Sequence, residues 1–262
     1  MSDLQLVQSP DLAVAWGRAL AALASRGVDE VTPLVVNVAG FEGGFPSEHP
    51  QVRARLDAAL KAAVKTKDTV CSADTTANLI FPENLWLRYR ASGRDAFFDK
   101  YLELLPRLQK RDGRNRKGTY FSRLVSHGTN GTNQLRHVLD TWQGGNHRRS
   151  ALQLVVFDPI VDHHRQPFLG FPCLDYVTFT PNTHDATLSV TALYAEQYLF
   201  DRGYGNYLGL CRLARFVAGE MQLRFKQLTC IASCAKLGDA IKKREAQALV
   251  QSFGDALDPE AT

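Results

Sequence analysis

Residues 169–206 read LGFPCLDYVTFTPNTHDATLSVTALYAEQYLFDRGYGN. Cys173 stands between Pro172 and an alternating run, Leu174-Asp175-Tyr176-Val177-Thr178-Phe179, and such alternation predicts a half-buried strand. Turn residues follow from Pro181 to Asp185, and a second strand is expected over 186–194. Asn206 then opens a long helix of apolar periodicity. A cysteine ahead of a strand, with an asparagine at a helix start, can address a small planar ring between them. The plainer reading of Cys173 is a small buried hydrophobe.

Upstream, Arg148-Arg149 opens another expected strand over 150–158, SALQLVVFD. The motif order is therefore a paired arginine, a strand, a loop, Pro172-Cys173, a strand, a hairpin, Leu188-Ser189, and an asparagine on a helix. This order resembles the thymidylate synthase family over roughly residues 78–236. Counted from Leu188-Ser189, Asn206 falls where the family's pyrimidine-reading asparagine falls, and Phe200 is also in register. The resemblance implies an α+β fold, a thymidylate synthase-like mixed sheet with flanking helices. It also implies one domain over residues 1–262, with a divergent N-terminal region at about 1–75.

The first third shows no likeness to that family. Ser9-Pro10-Asp11 caps a helix expected over 12–25, rich in alanine. Residues 32–39, TPLVVNVA, are apolar and β-branched and predict a strand, a candidate extension of the common sheet. Residues 52–64 have amphipathic helix spacing.

Glu83 follows Pro82 at the start of a helix. Both residues suit a first turn, where a carboxylate complements the helix dipole. Glu83-Asn84-Leu85-Trp86 also resembles the family segment that carries a general acid/base glutamate. Helices are further expected over 97–108 and 133–142. Gly118-Thr119-Tyr120-Phe121 is similar, one residue short, to a family segment preceding a dimer-side strand. Asn133-Gln134-Leu135 is similar to the family segment that starts a helix. A helix over 207–223, a buried strand over 229–235 and a helix over 239–253 complete the chain.

Composition bounds the function. The chain has 262 residues and is 45% hydrophobic, enough for a sizeable core. No apolar run is long enough to span a bilayer, and the start MSDLQLVQSPDL lacks signal-peptide character. The expectation is a soluble cytoplasmic protein with no membrane partner. Five cysteines without regular spacing do not form a disulfide framework, and Cys230 and Cys234 lack a second pair for zinc. Asp162-His163-His164 reads as exposed loop, so no metal is expected. A net charge of +4 is compatible with an anionic small ligand. The basic run from Lys110 to Lys117 reads as a solvated loop, or as a lid for a phosphate. Nucleic acid is an unlikely partner, because aromatics are not interleaved with that run.

The resemblance implies specific roles. Cys173 adds as thiolate to position 6 of a pyrimidine nucleotide, and position 5 then attacks a one-carbon unit carried by 5,10-methylenetetrahydrofolate. Glu83 relays protons through water. Asn206 reads the base, and its amide leans towards uracil over cytosine. Arg148 and Arg149 bind substrate phosphate and favour the thiolate, crossing to the partner's site in a homodimer. The departures are as informative. The phosphate arginine and aspartate expected beside the second strand are missing from Tyr194-Ala195-Glu196-Gln197-Tyr198, and Lys236 and Gly238 stand where ribose contacts are expected. The folate-closing C-terminal segment and a tryptophan-rich segment are absent. An open site lets water trap the transferred carbon, so hydroxymethylation is favoured slightly over methylation. The other readings are a catalytically lapsed member that binds nucleotide or protein, and an unrelated α+β protein with a basic surface that binds nucleic acid.

Overall fold

The computed structural model describes residues 4–25, 27–67, 70–112, 115, 117–163 and 172–258. Strand β1 (Gln5–Ser9) leads into helix α1 (Leu12–Ala24). Asp11 caps α1 by accepting the Val14 N–H at 3.0 Å. Short β2 (Glu30–Val31) and β3 (Leu34–Val38) follow. Next comes a small hairpin, β4 (Phe41–Glu42) and β5 (Phe45–Pro46). Gly43 and Gly44 turn it with φ of 58° and 82°, which side chains resist. Helices α2 (Pro50–Val64), α3 (Ala73–Ile80), α4 (Glu83–Tyr89), α5 (Gly93–Arg111), α6 (Tyr120–Val125) and α7 (Gln134–Gln143) build the middle of the chain. After them come β6 (Gln153–Val155), one-turn α8 (Pro159–Asp162), and the β7 (Leu174–Asn182) and β8 (Thr187–Tyr198) hairpin. Helix α9 (Tyr204–Glu220), β9 (Arg224–Lys236) and α10 (Lys243–Gln251) complete it.

The fold is mixed α+β. Its main sheet runs β1-β3-β9-β8-β7-β6, with β2 also on β9. The β1/β3 and β8/β9 pairs are parallel and the others antiparallel. The N-terminal strand expected over 32–39 does extend the common sheet, as β3 against β9. Strand β1 was not foreseen; its five residues stop at Pro10, too short a run to stand out.

The two sheet faces differ. Val36, Cys230, Ala192, Val177 and Leu154 lie side by side across five strands, all buried. One residue over, on the opposite face, Leu6, Val35, Ile231, Leu193, Tyr176 and Val155 form a second row across six strands. That row is apolar yet part-exposed, with Leu6 at 53% and Leu193 at 37%. Period-2 alternation thus gives one core face and one part-exposed apolar stripe.

Helix α9 packs on α3 through two glycines. A Cβ at Gly205 would meet the Thr76 Cβ at 2.5 Å, and one at Gly209 would meet the Ala77 carbonyl at 2.7 Å. Only hydrogen at these positions allows the helices to approach so closely. A π-helical turn, Leu199–Gly203, joins β8 to α9, and the Trp16 indole holds it by donating to the Leu199 carbonyl at 2.8 Å. Phe81, Phe97, Phe121 and Phe216 tie α5, α6 and α9 together, with centroid distances from Phe81 of 5.2–5.7 Å.

Three expectations need correction. The strand over 150–158 is only β6, preceded by a 3-10 turn at Arg149–Ala151. Its outer edge is occupied by a side chain: the Gln134 amide donates to the Val155 carbonyl (2.8 Å) and accepts the Val155 N–H (3.0 Å). A side-chain amide satisfies one peptide unit only, so the strand stays short. Second, Gly118 to Phe121 leads into α6, not a strand, because Thr119 and Ser122 form a capping box. Third, Asp162 is not on an exposed loop. It is fully buried and holds Arg123 through both oxygens, at 2.5 and 2.8 Å. His163 lies edge-on to Phe157, and His164 lies outside the described residues. The basic run is described only at Lys110, Arg111, Asp112, Asn115 and Lys117.

Candidate functional site

Cys173 lies one residue ahead of β7, half-buried against the core. Its carbonyl accepts the Ala195 N–H of β8 at 3.0 Å. The Tyr120 side chain, at the first residue of α6, hydrogen-bonds the backbone of Cys173 and Leu174. Tyr194 is buried beside this group, and its hydroxyl has no partner among the described residues. Burial, then the carboxylates of Glu196 and Asp175, push the Cys173 thiol up; Arg202 opposes them. Within one chain Cys173 is therefore a protonated thiol at neutral pH, the opposite of an activated nucleophile.

Asn206 is at the start of α9, after the turn that leaves the Tyr198 end of β8. Cys173 lies beside Ala195, near that same end, so the fold brings the two to one end of the sheet. Asn206 is buried and, at about 100° per residue, shares a helix side with Leu210, Leu213 and Val217.

Arg148 and Arg149 are exposed on the turn before β6. Since Gln153 faces Thr178 and Val155 faces Tyr176, the chain before β6 heads towards Asn182, away from Cys173. The distance along β7 is roughly 30 Å at 3.3 Å per strand residue. Arg148 and Arg149 cannot serve their own chain's Cys173.

Glu83, the first residue of α4, is elsewhere. Both its oxygens are engaged by α9: Oε2 by Arg212 Nε at 3.1 Å, and Oε1 by Arg215 Nη2. Leu208, Cys211, Arg212 and Arg215 line a cavity of about 420 Å³ together with Glu83. These four positions lie on the side of α9 opposite Asn206. The structure thus puts Cys173 and Asn206 at the same end of the sheet and places Glu83 across α9 from Asn206. Asp175, Arg202 and Tyr194 escaped the sequence reading as site residues because they look like ordinary strand and turn residues. Arg212 and Arg215 left a signal, two cations three apart on an otherwise apolar helix.

Among the described residues no group of three His, Cys, Asp or Glu side chains could hold a metal ion. No described helix is long and apolar enough to cross a membrane. The chain matches no family model and no curated protein.

Proposed function

We propose that the protein binds a pyrimidine nucleotide at the Cys173 end of the sheet on a thymidylate synthase-like plan, and transfers a one-carbon unit to its position 5. The observation that carries this reading is the convergence of Cys173, Tyr120 and the Asn206 helix start at the Tyr198 end of β8. The Tyr194 hydroxyl, which has no partner among the described residues, supports it, since a buried polar group calls for a polar ligand atom. 5,10-Methylenetetrahydrofolate supplies the one-carbon unit when bound. Cys173 Sγ, once deprotonated, adds to position 6 of the ring and leaves position 5 as the carbon nucleophile. Asn206 leans the choice towards uracil, and hydroxymethylation is favoured slightly over methylation.

The thiolate requires more positive charge than Arg202 of the same chain supplies. A homodimer supplies it if the open sheet faces pack together, laying the Leu6-to-Val155 row of one copy on that of the next. Arg148 and Arg149 then approach the partner's Cys173. Tritium release from position 5 across UMP, dUMP, CMP and dCMP, with methylenetetrahydrofolate, tests the reaction. Release from a uracil nucleotide that is lost in Cys173→Ala, while the nucleotide still binds, is the expected result. Release that survives Cys173→Ala overturns the mechanism. A second reading, a catalytically lapsed module that still binds nucleotide or a protein, is favoured by the ion pairs that occupy Glu83. Nucleotide binding without release selects it.

A further inference from the structure

The Glu83 cavity lies on the side of α9 opposite Asn206 and is closed by α2 and the β4–β5 hairpin, which the pyrimidine reading does not use. The β4–β5 hairpin covers one side, and the Arg215 guanidinium lies 3.7 Å from the Phe45 ring centroid. Arg53 on α2 is fully committed: Nε to Asp57, Nη1 to Glu48 and Nη2 to Asp74, at 2.8–3.0 Å. The α9 wall differs. Arg212 uses Nε and Nη2, on Glu83 and Asp74, and Arg215 uses Nη2 on Glu83. Among the described residues, Arg212 Nη1 and Arg215 Nη1 and Nε have no acceptor. Burial also pulls Arg215 below the usual guanidinium range, with Glu83 working against the shift. Across the cavity the imbalance reverses: Glu48 Oε2 and Asp57 Oδ1 lack donors among the described residues.

We infer that this cavity is a second binding site, for a small zwitterion that carries both a carboxylate and an ammonium, as a free amino acid does. The carboxylate takes the open donors of Arg212 and Arg215, and the ammonium sits between Glu48 and Asp57. Leu208, Pro46 and the rim residue Phe45 offer apolar surface to the ligand's own side chain. The volume lies within the roughly 300–1,000 Å³ usual for small-molecule sites. A simple dianion such as phosphate suits the site poorly, because three guanidiniums face four carboxylates, Glu48, Asp57, Asp74 and Glu83. A simple cation meets the N–H groups of Arg215 that have no acceptor among the described residues.

The site is independent of the Cys173 chemistry, and so is its test. Calorimetric titration of the full chain uses the twenty amino acids, with the amide and N-acetyl derivative of any that binds. Inorganic phosphate and dUMP serve as competitors. The expected result is binding of at least one amino acid, weakened roughly tenfold or more by loss of either charge on the ligand. Arg215→Gln weakens it equally, and so does exposed Asp57→Asn, which covers the case in which Arg215→Gln fails to fold. Cys173→Ala binds as the wild type does. Absence of binding by every amino acid, displacement by phosphate or dUMP, or wild-type affinity in Asp57→Asn overturns the inference.

Discussion

The Tyr120 side chain hydrogen-bonds the backbone of both Cys173 and Leu174, so the first turn of α6 sets where β7 begins. Cys173 is thereby held beside Asp175, on whose side of the balance Glu196 also acts. Position and reactivity are separable here. The cysteine is fixed well, but its surroundings favour the thiol.

Iodoacetamide labelling of Cys173 against pH should therefore show a midpoint above that of a free cysteine. Asp175→Asn removes a carboxylate next to the sulfur and should move the midpoint down. An unchanged midpoint in Asp175→Asn would show that the aspartate exerts no field on the thiol.

Asp175 itself is pushed up to about 6 by burial, although a hydrogen bond from the Ala195 backbone works the other way. An acid whose folded pKa lies above its unfolded value of roughly 3.9 binds more protons when folded. Its contribution is complete below about pH 4 and fades as pH rises through about 6. Urea titrations should show wild-type stability losing this increment between those pH values, and Asp175→Asn lacking that loss. The same decline in both proteins counts against the shift.

Asp162→Ala should cost about 3 kcal/mol, because it leaves the Arg123 guanidinium without its carboxylate in a largely closed site. The Asp158 N–H loses its acceptor as well. Denaturant midpoints of variant and wild type measure the difference, and a loss under about 1 kcal/mol, the range of surface pairs, would contradict the account.

Leu193→Lys places a charge in the middle of the open apolar row and should turn a dimer into a monomer in sedimentation velocity at micromolar concentration. Leu193 stands well away from the core face, so secondary structure should persist. A wild type that is already monomeric there refutes sheet-to-sheet association.

The alternating β7 and β8, the buried β9 and the long α9 were legible because their side chains repeat at two or 3.6 residues. Residues 150–158 misled, since Leu152, Leu154 and Val156 are all buried but only three residues pair as strand. Whether an apolar run finds a neighbour depends on Gln134, nineteen or more residues upstream, and no local pattern carries that. Asp162 misled for a similar reason: its partner Arg123 is distant in sequence. At the site, Cys173 and Asn206 were legible as a pair because a hairpin and one turn connect them. The position of Glu83 depends on Arg212 and Arg215, which face it only once α9 packs beside α4.

Strand β9 is the common neighbour of β2, β3 and β8. Early strands of the sheet, β2 and β3, therefore wait for a partner that lies far downstream of them. During synthesis β1 and β3 can pair with each other, but one long edge of β3 stays unsatisfied until residues 224–236 emerge. Such a topology has high contact order and folds late and as a whole. An early stop between β3 and β9 would release a chain with an open, apolar, β-branched edge, the form most prone to stick to its own kind.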